Sequence, residues 1–299
     1  MKNERNRLSI DIFHKNNIKG QNVNVAVIDT GIKAHLDFVL VKNRIIEFWD
    51  VQKGNVMPYD VNGHGTAVCG ILAGCGLISG GKFAGIAPNA NIIGVKAISD
   101  DGIGDTKSIL EGMHYVSQNK DRLDIRVVCM SFGSEPEFPD PIMRGAEILW
   151  NQGIVVVASG GNDGPNSGTI RSPGATPSIL TVGGVDWDIN DVPFVVDFSS
   201  RGPWRGFSRP DIVAPAVNIT TTGVQSHYTV MSGTSMSAPM IAGIVALMLC
   251  MRPKLNPNKI KEILLSSATF VDNDKNASGW GLVDVDKVFK QFLSADSTV

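Results

Sequence analysis

Three short segments carry the residue types of nucleophilic acyl transfer. Asp29 closes the run Val27-Ile28-Asp29-Thr30-Gly31. A carboxylate at the end of an apolar strand sits at the sheet edge where open α/β folds gather their functional groups; an Asp before Gly is also a common turn. His64 lies in Asn62-Gly63-His64-Gly65-Thr66-Ala67, between glycines that leave its ring uncrowded, with Thr66 placed to cap the apolar helix that follows. Alone, that segment reads equally as a turn histidine. Ser235 lies in Ser232-Gly233-Thr234-Ser235-Met236-Ser237-Ala238-Pro239, at the head of a long apolar run. A hydroxyl at a helix N-terminus stands beside free backbone N–H groups and the positive end of the dipole, which favours a developing oxyanion. A capping role fits the same position, and Thr234 or Ser237 would serve it equally.

In combination these segments resemble the active-site signatures of the subtilisin-like serine protease (subtilase) family: Val-Ile-Asp-Thr-Gly, Gly-His-Gly-Thr and Gly-Thr-Ser-Met-Ser-Ala-Pro, in the order Asp, His, Ser. The resemblance extends to Gly85–Pro88, Val128–Gly133, Ser159–Gly164, Phe198–Pro203 and Pro210–Pro215, so that it spans the chain from about Val23 to about Val285. It implies that Ser235 Oγ attacks the scissile carbonyl and forms an acyl-enzyme, with His64 as base and Asp29 holding the imidazole tautomer. Of the five histidines, His14, His35, His114 and His227 lack the Gly-His-Gly setting. Asn162, in Gly160-Gly161-Asn162-Asp163-Gly164, matches the family's oxyanion-hole donor, beside the Ser235 backbone N–H. A turn Asn at positive φ is the alternative there.

In the family an extended substrate pairs with two backbone segments, which here correspond to Gly102-Ile103-Gly104 and Ser131-Phe132-Gly133. Ser159-Gly160-Gly161 would wall the pocket for the residue before the cut, and small residues there predict a roomy, unselective pocket. Asp100, Asp101 and Asp105 cluster beside the first segment, suggesting a preference for basic residues upstream of the cut; a solvated acidic loop reads the same way.

The chain departs from the family pattern in places. Ala67-Val68-Cys69 follows Gly-His-Gly-Thr where many members carry a second His, and Cys69, about a turn and a half beyond His64, is a site where a bulky thiol reagent would disturb the ring. The stretch Gly74–Gly81 carries no Asp or Asn, whereas secreted relatives often have an Asn-bearing calcium loop there. Calcium takes six to eight oxygens, usually including carboxylates. No cofactor or metal is expected to be required, and calcium on backbone carbonyls elsewhere stays open. The four cysteines (Cys69, Cys75, Cys129, Cys250) have no metal-ligand spacing.

Residues like these need rigid elements to hold them. The runs Val23–Ile28, Asn91–Ala97, Ile125–Met130, Ile154–Ala158 and Ile179–Val182 are nearly continuously apolar and rich in β-branched residues, as strands buried on both faces require. Helical patterns lie between and after them, at Thr66–Gly74, Thr106–Asn119, Pro141–Asn151, Met236–Met251, Asn256–Ser266 and Val283–Leu293. Alternation of this kind predicts a single α/β domain, a mostly parallel β-sheet with helices on both faces in the subtilisin-like manner. We divide the chain into an N-terminal extension or helix, 1–22, and a peptidase domain, 23–299. The run Ala238–Met251 is broken by Pro239 and Gly243 and is short for a bilayer span, so it reads as a core helix.

At 43% hydrophobic and 19% charged residues the chain can bury a sizeable core, and a net charge of −2 offers no footprint for nucleic acid or an anionic membrane. The partner expected is a peptide or protein substrate. The polar N-terminus lacks a secretory apolar run, and about 28 residues before Asp29 are too few for a folding-assisting pro-domain. These features predict a cytoplasmic enzyme similar to intracellular bacterial members, with Met1–Arg7 either a short inhibitory segment or a frayed terminus. The activity predicted is serine endopeptidase, for general intracellular proteolysis or for one dedicated precursor or leader peptide. A catalytically silent subtilase-fold binding protein is the alternative. A lipase is disfavoured, because Gly233-Thr234-Ser235-Met236-Ser237 lacks the second Gly of the G-x-S-x-G elbow.

Overall fold

The five β-branched runs pair side by side, all parallel. In the computed structural model, which describes residues 1–225 and 227–296 (the side chains of 294–296 excepted), the last three positions of the 23–299 domain lie outside the described residues. The chain opens with α1 (Lys2–Arg7), α2 (Asp11–Lys15), β1 (Asn24–Asp29), α3 (Leu36–Val39), β2 (Ile45–Asp50) and α4 (His64–Ala73). A short 3₁₀ turn (Leu77–Ser79), β3 (Asn91–Lys96), α5 (Thr106–Asn119), β4 (Ile125–Met130), α6 (Pro141–Asn151) and β5 (Val155–Ser159) follow. Then come β6 (Leu180–Trp187), β7 (Pro193–Val195), β8 (Ile212–Pro215), β9 (Ile219–Thr222) and β10 (Tyr228–Met231). The chain ends on α7 (Thr234–Met251), α8 (Pro257–Ser267), α9 (Lys275–Ser278) and α10 (Val285–Asp296).

One eight-stranded sheet runs β2-β3-β1-β4-β5-β6-β7, with β8 also on β6; only β7 is antiparallel. Strand order reverses around β1, which has β3 on one side and β4 on the other. A crevice therefore opens at the carboxyl end of β1, beside Asp29. Ile28 and Asp29 are neighbours on β1 and so face opposite layers. Gly112 of α5 lies against Ile28, and Gly65 of α4 against Asp29. α4 and α7 pack on each other in one layer, α5 and α6 in the other.

Local chemistry sets the helix starts. Asp105 accepts the Ser108 N–H at 2.9 Å to cap α5, Asp140 accepts those of Ile142 and Met143 ahead of Pro141, and Asn256 caps α8 ahead of Pro257. α7 is apolar all round because it is covered all round. It is long and apolar enough to cross a membrane, yet 83% of it is buried within the fold, so it is the core helix expected.

Candidate active site

The segments that hold the candidate catalytic and substrate-binding residues lie at the carboxyl edge of the sheet. Asp29 ends β1, Gly102–Gly104 follow β3, Ser131–Gly133 follow β4, and Ser159–Gly161 end β5. His64 opens α4 and Ser235 opens α7. Gly102–Gly104 and Ser131–Gly133 belong to no strand, and Ile103 is 71% exposed.

Asp29 is buried, and its Oδ1 accepts the Thr30 N–H at 2.7 Å and meets His64 Nδ1 at 2.8 Å. With a carboxylate on one ring nitrogen, that nitrogen carries the proton and Nε2 is left as the base. Burial pushes the His64 pKa down, but the charge of Asp29, its hydrogen bond and the charge of Asp60 push it up, and the net shift is upward. The close approach requires a glycine beside the His: a Cβ on Gly65 would fall 2.1 Å from Gly31 O and 3.1 Å from Asp29 Cβ. A cleft of about 440 Å³ flanks His64 on the side of the β9–β10 hairpin, lined in part by Asn62, Val224, Tyr228 and Met231.

Ser235 is the second residue of α7, after Gly233 at φ +141°. Asn162 Oδ1 accepts both the Thr234 N–H, at 2.9 Å, and the Thr234 hydroxyl, at 3.0 Å. Because a backbone N–H can only donate, the amide is oriented with Nδ2 turned away as a donor. Nδ2 and Ser235 Oγ each lie 3.3 Å from the point a Cβ on Gly233 would occupy. The hydroxyl and the amide donor thus share one small space at the N-terminus of a long helix. No hydrogen bond joins Ser235 Oγ to His64 among the described residues.

Sequence reasoning missed the groups that hold the His64 loop. Buried Asp60 accepts from Gly63 N (2.9 Å), Thr66 N (2.9 Å), Thr66 Oγ1 (2.6 Å) and Thr30 Oγ1 (3.0 Å), and Thr30 Oγ1 in turn accepts from Gly65 N at 2.9 Å. Buried Lys96 donates to Thr30 O at 2.7 Å and pairs with Asp100 at 2.8 Å. An Asp shortly before a helix start is a capping signal, and Asp60 could have been found by it.

Two expectations change. The acidic cluster is partly engaged: Asp100 pairs with Lys96 and Lys53, and Asp105 caps α5, which weakens the case for a preference for basic substrate residues. Cys69 is fully buried, and burial raises its pKa well above that of a free thiol, so it is closed to bulky reagents. Residues 74–81 do not fit a calcium ion. Arg5 donates to Gly81 O and Ala84 O, and Asp37 accepts from Tyr228 OH at 2.8 Å. No group of three or more His, Cys, Asp or Glu suited to a metal occurs among the described residues.

Comparison with known proteins agrees with this geometry. Residues 20–281 match the Subtilase family. The chain is 41% identical over 297 residues to Serine protease AprX of Bacillus subtilis (strain 168), covering 90% of this chain and 66% of that protein. It is 33% identical to Subtilisin DY of Bacillus licheniformis, over 90% of this chain and 91% of that one. Among solved structures, S41 Psychrophilic Protease superposes with a TM-score of 0.80 at 30% identity, covering 89% of this chain and 92% of that chain. The cytoplasmic placement predicted from the sequence is overturned, because the named relatives are secreted extracellular subtilisins. The polar N-terminus on which that placement rested fixes no compartment, and the unpaired cysteines, all four buried or half-buried, report packing rather than one.

Proposed function

From the premise that this chain belongs to the subtilase family and is a serine-protease hydrolase, we propose that it is an endopeptidase acting through Asp29, His64 and Ser235, with Asn162 as an oxyanion donor. The observation that carries the reading is the 2.8 Å contact between buried Asp29 and His64, at the edge where Ser235 and the oriented Asn162 amide also stand.

Ser235 Oγ bonds to the scissile carbonyl carbon while its proton passes to His64 Nε2. Asp29 keeps the other ring nitrogen protonated and stabilises the imidazolium. The carbonyl oxygen, now an anion, takes hydrogen bonds from Asn162 Nδ2 and the Ser235 N–H, in the positive end of the α7 dipole. The C–N bond breaks as His64 returns the proton to the leaving amine, and water repeats the sequence on the acyl-enzyme. A substrate in extended form lies between Gly102–Gly104 and Ser131–Gly133, gaining main-chain hydrogen bonds as an added strand.

The test is labelling by a fluorophosphonate probe, with Ser235→Ala as control. Labelling lost in the variant supports the nucleophile; a folded chain that binds peptide without labelling would be a silent relative instead. Digestion of a denatured proteome then reads breadth. Many cuts sharing a local pattern mean general proteolysis, and cuts confined to one sequence mean a dedicated processing enzyme.

A further inference from the structure

Lys96 ends β3 in register with Asp29 at the end of β1, and no step of the acyl transfer uses it. Its side chain is 2% exposed. Three oxygens surround the ammonium: Thr30 O at 2.7 Å, Ile98 O at 2.9 Å and Asp100 Oδ1 at 2.8 Å. An ammonium carries three N–H donors and no acceptor, so three oxygens are the number that satisfies it. The Tyr59 ring lies 5.4 Å from Nζ.

Those oxygens belong to two different parts of the site. Thr30 supplies the first. Its N–H donates to Asp29 Oδ1, and its hydroxyl joins Asp60 to the Gly65 N–H beside His64. Ile98 and Asp100 supply the others, from the turn that leads into Gly102–Gly104. That turn closes on itself: the Ser99 N–H donates to Ile103 O and the Gly102 N–H to Ser99 O, both at 3.0 Å. The Ile103 N–H also donates to Ser99 Oγ at 3.2 Å, so residues 99–103 form one small lobe. Asp100 attaches the lobe to the body of the fold. Besides meeting Lys96, its carbonyl accepts Asn62 Nδ2 at 3.3 Å, and Asn62 Oδ1 accepts the His64 N–H at 3.2 Å. Lys53 reaches Asp100 as well, at 3.5 Å, but from an exposed position where an ion pair contributes little.

We propose that Lys96 is a positioning residue. Through Asp100 it fixes the lobe that pairs with the substrate, and through Thr30 it fixes the turn that carries Asp29. The proposal rests on the endopeptidase reading, with Gly102–Gly104 as a substrate-pairing segment. A lobe already in place spares the substrate the cost of ordering it, so the Asp100 arm acts on KM. The Thr30 arm acts on the geometry of the Asp29–His64 contact, and so on kcat. One buried ammonium thus has two separable effects.

The experiment measures kcat and KM for the full chain, Asp100→Asn, Lys96→Met, the double variant and Lys53→Met. One substrate is a fluorogenic peptide long enough before the cut to reach Gly102–Gly104; the other is a short acyl ester that ends before them. In Asp100→Asn the kcat/KM advantage of the peptide over the ester is expected to fall about tenfold, through KM, as the lobe loses its pre-set place. Lys96→Met is expected to show the same fall, together with about a tenfold lower kcat on both substrates as the Asp29 turn loosens. The double variant is expected to lose no more in KM than Lys96→Met, because both substitutions cut one link. Lys53→Met is expected to change the ratio by less than about twofold. Asp100 is 34% exposed and Asn matches its shape, so Asp100→Asn decides the matter should Lys96→Met not fold. An unchanged ratio in Asp100→Asn overturns the proposal, as does an equal loss in Lys53→Met or a further KM rise in the double variant. A normal kcat on the ester in Lys96→Met overturns the tie to Asp29. Ser235 labelling with unchanged ratios defeats this proposal alone, whereas absence of both cleavage and labelling defeats the endopeptidase reading itself.

Discussion

The direction of the His64 shift gives the residue scale its clearest consequence. Asp29 and Asp60 raise the His64 pKa against the opposing effect of burial. Only neutral imidazole can accept the Ser235 proton, so kcat/KM should rise with pH through a limb placed above the ordinary histidine value. The stabilisation from the pair has the opposite sign: it is present in full below the unfolded pKa and is lost as pH rises through the folded one. Asp29→Asn should fold, lose about 10⁴ in kcat because the amide favours the wrong tautomer, and move the limb to lower pH as the charge disappears. A pH profile of the two proteins checks both; a limb that stays in place would mean that Asp29 is not what raises His64. Asn162→Ala should cost about 10²–10³ in kcat with little change in KM, as removal of one oxyanion donor does. The same buried setting makes Cys69 and Cys129 inert, the latter with its pKa pushed up to about 12. Thiol titration of the native enzyme should leave those two unmodified and activity intact.

At the scale of elements, β1 and α4 are bound into one unit by Asp60. Its carboxylate gathers donors from Gly63, Thr66 and Thr30, which sit on either side of the Asp29–His64 contact. Asp60→Ala leaves those donors buried without an acceptor, at about 1–3 kcal/mol each before water or relaxation offsets part of it. A drop of at least about 2 kcal/mol in urea unfolding, at constant m, is expected, together with reduced kcat as His64 loses its fixed seat. An unchanged midpoint would show that the loop holds itself. The segments holding Asp29, His64, Ser235 and Asn162 stand out in the sequence because each is short and contiguous, and the roles proposed for them rest on their resemblance to the family's signatures. The five central strands and the long helices were legible for a related reason: strands buried on both faces must be continuously apolar, and α7 must be apolar all round. β2 was missed because Glu47 and Asp50 interrupt its apolar residues, β8 because a short strand takes its identity from a partner, β6, remote in sequence, and β9 and β10 because each is only four residues long. Lys96 acts through a contact across the fold, to Thr30 O, of which single-chain periodicity holds no trace, whereas Asp60 left a capping signal ahead of α4.

For the whole molecule, the N-terminal residues are part of the same core as α4 and α7. Met1, Leu8, Ile10 and Phe13 are buried in the cluster that also contains Val68 of α4 and Met236 of α7. Phe13 meets Phe289 of α10 edge-on, with ring centroids 5.0 Å apart, so the two ends of the chain close on each other. α1 is fastened by Arg5 to the carbonyls of Gly81 and Ala84, and by Arg7 over the Trp187 ring at 4.1 Å. Those contacts lie on segments that contribute none of the proposed catalytic residues. A frayed terminus would contribute nothing to stability, and an inhibitory one would cover the site. The contacts of α1 and α2 fit neither role and instead describe a clasp. Phe13→Ala should therefore cost about 3–5 kcal/mol, the loss expected for a large ring removed from a packed core. Deleting residues 1–7 should lower the unfolding midpoint while leaving kcat/KM on short peptides unchanged. An increase in kcat/KM on deletion, with stability unaffected, would restore the inhibitory role and remove the clasp. The two measurements are independent, because a core contact acts on unfolding whether or not substrate is present, and a blocking segment acts on substrate whether or not the core is intact.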